Sequence, residues 1–389
     1  MLRYLEESIK NDLREKIVLL SGPRQVGKTT LSKQLIDPFV YLSFDAAADR
    51  RLIADEAWDK TAGLVVFDEL HKMKRWKTWL KGLYDTRGIP PGILVTGSAR
   101  LDVLRKGGDS LAGRFHSYRL HPFTVKELAI PAGESPRAIL DRILETGGFP
   151  EPYLKGTEID AARWRRSHVD SIVRQDLLDL ENVRDLRSIE ILIDLLKARV
   201  GAPTSFASLA GDLQVSIPTV RRWLEILENL CLIFPVRPYH RNIARAILKE
   251  PKYFFYDTGS VEGDRSARLE NVVACALLRE LHHLEDTTGA RIGLYYLRDK
   301  EKREVDFLAV VNHHPVLMAE VKTGDDAFAR PLYHFREALP GTRAVQVVYS
   351  LDRKKEKDGV EMRPAAEFLA TLSVGVMPPR LEKGGFPGA

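Results

Sequence analysis

The chain has 389 residues, with 59 Lys and Arg against 54 Asp and Glu for a net charge of +5. One hydrophobic core rarely grows past about 250–300 residues, so two or three domains are expected. Hydrophobic residues at 44% and charged residues at 29% exclude a mostly disordered or collagen-like chain, and the charge permits a polyanionic partner without establishing one.

Met1 to Asp12 alternates acid and base around short apolar residues and has no apolar stretch of signal-peptide type, so no secretory signal is expected. The first region alternates strand and helix patterns. Lys16–Leu20, Val40–Phe44, Leu64–Phe67 and Ile93–Thr96 read as buried strands, which predicts a parallel sheet with helices on both faces. Between the first strand and a helix predicted over Thr29–Ile36 lies Gly22-Pro23-Arg24-Gln25-Val26-Gly27-Lys28-Thr29. This is the G-x-x-x-x-G-K-[ST] phosphate loop, in its required strand–loop–helix setting. The glycines let main-chain N–H groups close around phosphate oxygens, and the helix start adds its dipole. Lys28 is expected on the β and γ phosphates, Thr29 on Mg²⁺, and Thr30 beside it. Arg3 and Tyr4 are candidates to stack on the base.

The strand Leu64–Phe67 runs into Asp68-Glu69. Asp68 is expected to hold Mg²⁺ and Glu69 to polarise the attacking water. Ligands of open α/β sheets bind outside the carboxyl ends of the strands. Thr96 and Ser98, at the exit of the next strand, are therefore candidates for contact with that water or the γ-phosphate.

These motifs, with Ser110-Leu111-Ala112-Gly113-Arg114 and Leu120-His121-Pro122-Phe123-Thr124-Val125-Lys126-Glu127-Leu128, resemble the AAA-type ATPases of bacteria and archaea that carry a C-terminal domain of unknown function 4143. The resemblance covers most of the chain. It implies ATP rather than GTP, and it makes Arg114 an arginine finger or γ-phosphate sensor, with Arg100 a rival. Action in trans would require a homo-oligomeric ring or filament.

Pro131-Ala132-Gly133 and Gly147-Gly148-Phe149-Pro150 break the pattern, and from about 155 to 234 the chain reads as helical. Arg163, Arg165, Arg166, His168 and Arg174 cluster around a single acid, Asp170. Ser205–Leu213 predicts one helix. Ser216 caps the next, with an apolar stripe of Val220, Trp223, Leu224, Leu227 and Leu230. Leu232–Val236 follows as a wing strand. A winged-helix-like module would present Arg221, Arg222, Arg237, Arg241 and Arg245 to DNA; it would serve equally as a protein–protein spacer. Cys231 and Cys275 are the two cysteines. They fit a reducing, cytoplasmic setting rather than a disulfide scaffold.

The last region reads as helix Leu269–Leu284, strands Gly293–Leu297, Glu304–Val311 and Val316–Val321, helix Phe328–Leu339 and strand Ala344–Tyr349. This α-β-β-β-α-β order resembles the core of restriction-endonuclease-like nucleases. The resemblance assigns Asp306, Glu320 and Glu270 to a second Mg²⁺ site and Lys322 to the attacking water. Glu320 and Lys322 share one strand face. Asp306 joins it only if the hairpin pairs it with Glu320, for which an odd loop such as 312–314 is expected. Glu250-Pro251-Lys252 and Asp352-Arg353-Lys354 match the same acid-x-Lys pattern outside that strand context. His282-His283 and His313-His314 read as surface residues.

The expected organisation is therefore α/β and multidomain: a P-loop AAA-type domain over 1–150, a helical winged-helix-like module over 151–250, a restriction-endonuclease-like domain over 251–377, and a loose tail over 378–389. Three functions fit: an ATPase that processes DNA with Mg²⁺-dependent cleavage, an ATP-dependent switch with a docking C-terminal domain, or a DNA-remodelling ATPase that does not cut. No membrane partner is expected.

Overall fold

The computed structural model describes residues 3–97, 111–129, 133–173, 185–239, 250–324 and 327–374. Helix α1 (Glu6–Asp12) leads into β1 (Ile17–Ser21). Then follow α2 (Lys28–Ser32), β2 (Phe39–Ser43), α3 (Ala47–Ala54), β3 (Leu64–Asp68), α4 (Trp76–Arg87), β4 (Gly92–Thr96) and β5 (Phe115–Arg119). The five strands form one parallel sheet in the order β2-β3-β4-β1-β5. Successive side chains alternate between its faces. Val18, Leu20, Val66 and Leu94 pack with Leu5, Ile9 and Leu31 on one side. Ile17, Leu19, Val65, Phe67, Ile93 and Val95 pack with Ile53, Leu80 and Leu83 on the other. Burial on both faces is why these strands read as unbroken apolar runs. The two edge strands are the exceptions: β2 is buried only at Leu42, and β5 is hidden by its polar sequence, with Tyr118 its one fully buried residue.

The chain continues through α5 (Val125–Ala129), α6 (Pro136–Thr146), α7 (Pro150–Lys155), α8 (Glu158–Ser171), α9 (Leu186–Lys197), α10 (Phe206–Leu213) and α11 (Ile217–Asn229) into β6 (Ile233–Pro238) and β7 (Lys252–Phe255). Ser216 does cap α11, its hydroxyl accepting from Thr219 N–H. Helices α9–α11 enclose their own core around Leu192, Leu209, Trp223 and Leu227.

The last region is α12 (Arg265–Thr288), β8 (Ile292–Arg298), β9 (Glu304–Val311), β10 (His314–Lys322), α13 (Arg330–Ala338), β11 (Arg343–Val348), β12 (Lys355–Lys357), β13 (Val360–Pro364) and α14 (Ala365–Ala370). Its eight-stranded mixed sheet has the order β12-β13-β11-β10-β9-β8-β6-β7.

The expected wing is thus not a free hairpin. Strand β6 pairs with β7 on one side and runs parallel to β8 on the other. The cause is its apolar residues on both faces: Ile233 enters the helical core, whereas Phe234 and Val236 enter the C-terminal core. That C-terminal core also takes in Phe123, Val125, Leu128, Ile139 and Tyr153, so the boundary expected at 150 crosses continuous packing.

Candidate nucleotide site and a second charged cluster

Strand β1 delivers the chain to Gly22 at the carboxyl edge of the parallel sheet. Gly22 has φ 145°, and a Cβ there would lie 2.4 Å from the Leu120 carbonyl oxygen, so only glycine fits against the neighbouring chain. Pro23, Arg24, Gln25 (φ 60°) and Val26 arch over to Gly27, which starts α2 in the left-handed conformation at φ 98°. Lys28 Nζ donates to the carbonyls of Gly22 (3.0 Å) and Pro23 (2.7 Å). Burial lowers its pKa to about 8, against the pull of Glu69 and Asp68. Thr29 and Thr30 are exposed at the loop's end.

Register places Asp68, at the end of β3, opposite Thr96 of β4. Asp68 accepts from Thr96 Oγ1 and from Tyr41 OH, each at 2.5 Å, and Tyr41 also bonds the Thr29 hydroxyl. One phenol of β2 therefore links the hydroxyl and the carboxylate expected to share a cation. Both are hard oxygen donors of the type Mg²⁺ takes, so the residues fit that ion. Thr96 is fully buried and spends its hydroxyl on Asp68. It positions the acid instead of reaching toward substrate. Glu69 turns at φ 56°, anchored by its N–H on the Thr96 carbonyl at 2.8 Å. Its carboxyl pKa is raised by burial, with Lys72 opposing and Asp68 adding.

Three expectations need correcting. Arg114 lies at the opposite, amino edge of the sheet: its carbonyl accepts from Ile17 N–H, and its guanidinium pairs with Asp85 at 2.7 Å. It cannot sense a γ-phosphate in its own subunit. Arg3 is buried, binding Glu127 Oε1 (2.6 Å), the Val26 carbonyl (2.9 Å) and the His121 carbonyl (2.6 Å). Tyr4 donates to the Arg119 carbonyl at 2.7 Å. Both pin the N-terminus beneath the loop and are not free to stack on a base. Ser98, Arg100, Arg241, Arg245 and the 378–389 tail lie outside the described residues.

The second cluster lies on the C-terminal sheet. Val311 pairs with His314 across a two-residue turn, which by itself would set Asp306 against Ala319. A register shift between Pro315 and Leu317 moves the pairing by one residue. Phe307 then faces Ala319, and Asp306 faces Glu320. The shared face is thus made by a bulge and not by the odd loop expected. Asp306 Oδ2 accepts from Val321 N–H at 2.9 Å, and Lys322 Nζ lies 2.8 Å from Glu320 Oε1.

Sequence reasoning missed the central member of this cluster. Lys252 of β7, almost wholly buried, places Nζ 2.8 Å from Glu304, 3.3 Å from Glu270 and 3.4 Å from Asp306. Its motif match had no strand context in the nuclease pattern. The available signal was a lysine opening the apolar run Tyr253–Phe255. Among the described residues no group of three or more His, Cys, Asp or Glu is arranged to hold a metal ion. An ammonium already sits among Glu270, Glu304 and Asp306, which corrects the expected metal site. Burial, then Asp306, pushes Glu270 up to about 8 and Glu320 up to about 7.

Three of the arginines expected on the DNA face lie within the described residues. Arg221 covers the Phe206 ring at 4.3 Å, Arg222 is exposed, and Arg237 faces Glu228. His282 is not a plain surface residue: its Nδ1 lies 2.8 Å from His121 Nε2.

A phosphate loop at the carboxyl edge of a parallel sheet, next to an Asp-Glu strand exit, defines an AAA-type P-loop protein. Residues 14–129 match the AAA domain family, 137–262 a domain of unknown function (DUF8612) and 265–368 a domain of unknown function (DUF4143). The chain therefore carries an AAA domain followed by a C-terminal DUF4143 domain. It is 28% identical over 372 residues to the uncharacterised protein Rv2008c of Mycobacterium tuberculosis, covering 93% of this chain and 82% of that one. An uncharacterised protein of Haemophilus influenzae is 25% identical over 349 residues, covering 79% and 82%. Among solved structures, a RuvB variant of Thermotoga maritima aligns with a TM-score of 0.32 at 15% identity, over 59% of this chain and 88% of that one.

Proposed function

We propose that this protein binds and hydrolyses ATP, and that the nucleotide works a switch in its C-terminal region. The observation that carries the first part is the convergence of Lys28, Thr29, Asp68 and Glu69 on one sheet edge, each fixed by a named contact. Thr29 and Asp68 would hold Mg²⁺, which when bound offsets charge on the phosphate oxygens. Lys28 adds a cation at the loop. Glu69, its carboxyl poised upward by burial, accepts a proton from the attacking water. Thr96 and Tyr41 hold Asp68 in place.

Support for the switch comes from α12. Its 24 residues span about 36 Å. Glu270 near its start lies in the acid–lysine cluster. Near its end Asp286 clamps Arg119 through both the backbone N–H (2.9 Å) and the guanidinium. Arg119 pairs in register with Ser21, the residue before the phosphate loop. The shared face of Asp306, Glu320 and Lys322 supports the rival reading of Mg²⁺-dependent DNA cleavage, but Lys252 stands where the ion would enter, so the switch is favoured. Since Arg114 cannot reach its own loop, a catalytic role for it needs a neighbouring copy.

Phosphate release tests the reading. The purified chain should turn over ATP in Mg²⁺ and stop in EDTA; equal release in both would defeat it. Plasmid incubated with Mg²⁺ or Mn²⁺ should stay intact, and nicking that disappears in Lys322→Ala would move the proposal to the nuclease.

A further inference from the structure

We propose that His168 binds the phosphate chain of the nucleotide held by the 22–29 loop, so that α8, outside the AAA sheet, contributes a ligand to the site. This rests on the nucleotide reading above and adds a residue to it.

Helix α8 starts at the Thr157 cap, whose hydroxyl accepts from Asp160 N–H. Trp164 and His168 are one turn apart and share a face. Trp164 packs into the AAA core with Phe149, Val26 and Leu31, which lays that face against the loop. The preceding turn fixes the approach: a Cβ at Gly27 would lie 3.8 Å from Pro150 Cγ. The His168 ring stacks on Trp164 (centroids 4.6 Å, interplanar 13°) and meets Phe149 at 5.1 Å.

His168 is only 3% exposed, and its Nδ1 has no hydrogen-bond partner among the described residues. A buried polar atom left unpaired is costly, and native chains rarely keep one without a role. The charges that act on this ring are Arg24 and Lys28, both cations of the phosphate loop. Burial first, then those two charges, push its pKa down to about 4, so the imidazole is neutral near pH 7. A neutral imidazole keeps one N–H to donate. Among aromatic neighbours and two cations, the acceptor that satisfies it and also balances the loop's charge is a phosphate oxygen. In the sequence His168 looks like one more member of a solvated basic cluster. The fold turns it inward because Trp164, four residues earlier, is a core residue.

Two variants separate a binding role from a packing role. His168→Phe keeps the ring stack and loses the donor; His168→Asn keeps a donor and loses the stack. Calorimetric titration of the full chain with ADP and with ATPγS, beside Lys28→Ala, reads the result. The proposal expects His168→Phe to weaken binding about tenfold, the scale of one hydrogen bond to a charged group. His168→Asn should stay closer to the parent. Parent-like affinity in His168→Phe, with binding lost in Lys28→Ala, would overturn it. Parent-like affinity in Lys28→Ala would instead remove the nucleotide reading beneath it. If His168→Phe fails to fold, ¹⁵N-histidine NMR of the parent decides: ADP should shift the signal absent from His168→Asn, and an unmoved signal would overturn the proposal.

Discussion

The two charged centres of this molecule use similar residues to opposite ends. At the parallel sheet, Lys28 is held by main-chain carbonyls, Asp68 by the Tyr41 and Thr96 hydroxyls, and Glu69 lies 3.6 Å from Lys72. At the mixed sheet, Lys252 reaches in from β7 and sits 2.8–3.4 Å from three carboxylates. The first arrangement gives the loop lysine and the acids different partners. The second neutralises itself. The lesson is that an acid–lysine motif acquires chemistry only from what its lysine is bonded to, and that bonding is set by the backbone around it.

The sharpest way to break this comparison is Glu69→Gln. It should lower ATP turnover by about 10²–10⁴-fold, the usual worth of a general base, while leaving ADP affinity intact. Steady-state phosphate release checks it, and unchanged turnover would place the base elsewhere. Next comes Lys252→Met. Removing the ammonium shared by Glu270, Glu304 and Asp306 should cost about 3–5 kcal/mol in urea unfolding. Mn²⁺ should restore part of the loss in the variant and do little for the parent, since the metal would take the ammonium's place.

A smaller effect is the pH dependence of stability. Glu270 and Glu320, at about 8 and about 7 against an ordinary 4.5, hold their protons in the folded chain and lose them on unfolding. Where the folded state binds more protons, stability falls as pH rises. Above the ordinary histidine value, where lowered histidines such as His168 no longer take up protons on unfolding, the melting temperature should therefore drop between roughly pH 6.5 and pH 8; a slope left unchanged by Glu320→Gln would contradict the burial argument. Smallest is Arg114→Ala. It breaks an exposed pair with Asp85 and should leave turnover unchanged in dilute protein. Loss of activity that grows with protein concentration would show a neighbouring subunit using this arginine.

How much of this was legible in the sequence follows from where each signal lives. Strands buried on both faces announce themselves as apolar runs, so β1, β3 and β4 were readable, and the phosphate loop is a local pattern that needs only its neighbours. Strand β5 was not readable, because an edge strand keeps polar residues and Phe115–Arg119 carries them. The face shared by Asp306 and Glu320 depends on a one-residue bulge near Pro315, which no periodicity marks. Lys252 and His168 were hidden for a common reason. Each meets partners brought to it by packing and not by its neighbours in the chain: Glu270, Glu304 and Asp306 for Lys252, with β7 against β6, and the 22–29 loop for His168, with Trp164 against the AAA core.

The most direct test of the central claim is equilibrium binding of ATPγS in Mg²⁺ to the parent chain and to Lys28→Ala. Saturable binding by the parent that disappears in Lys28→Ala is the predicted result. Equal binding by both, or none by the parent, would contradict the account.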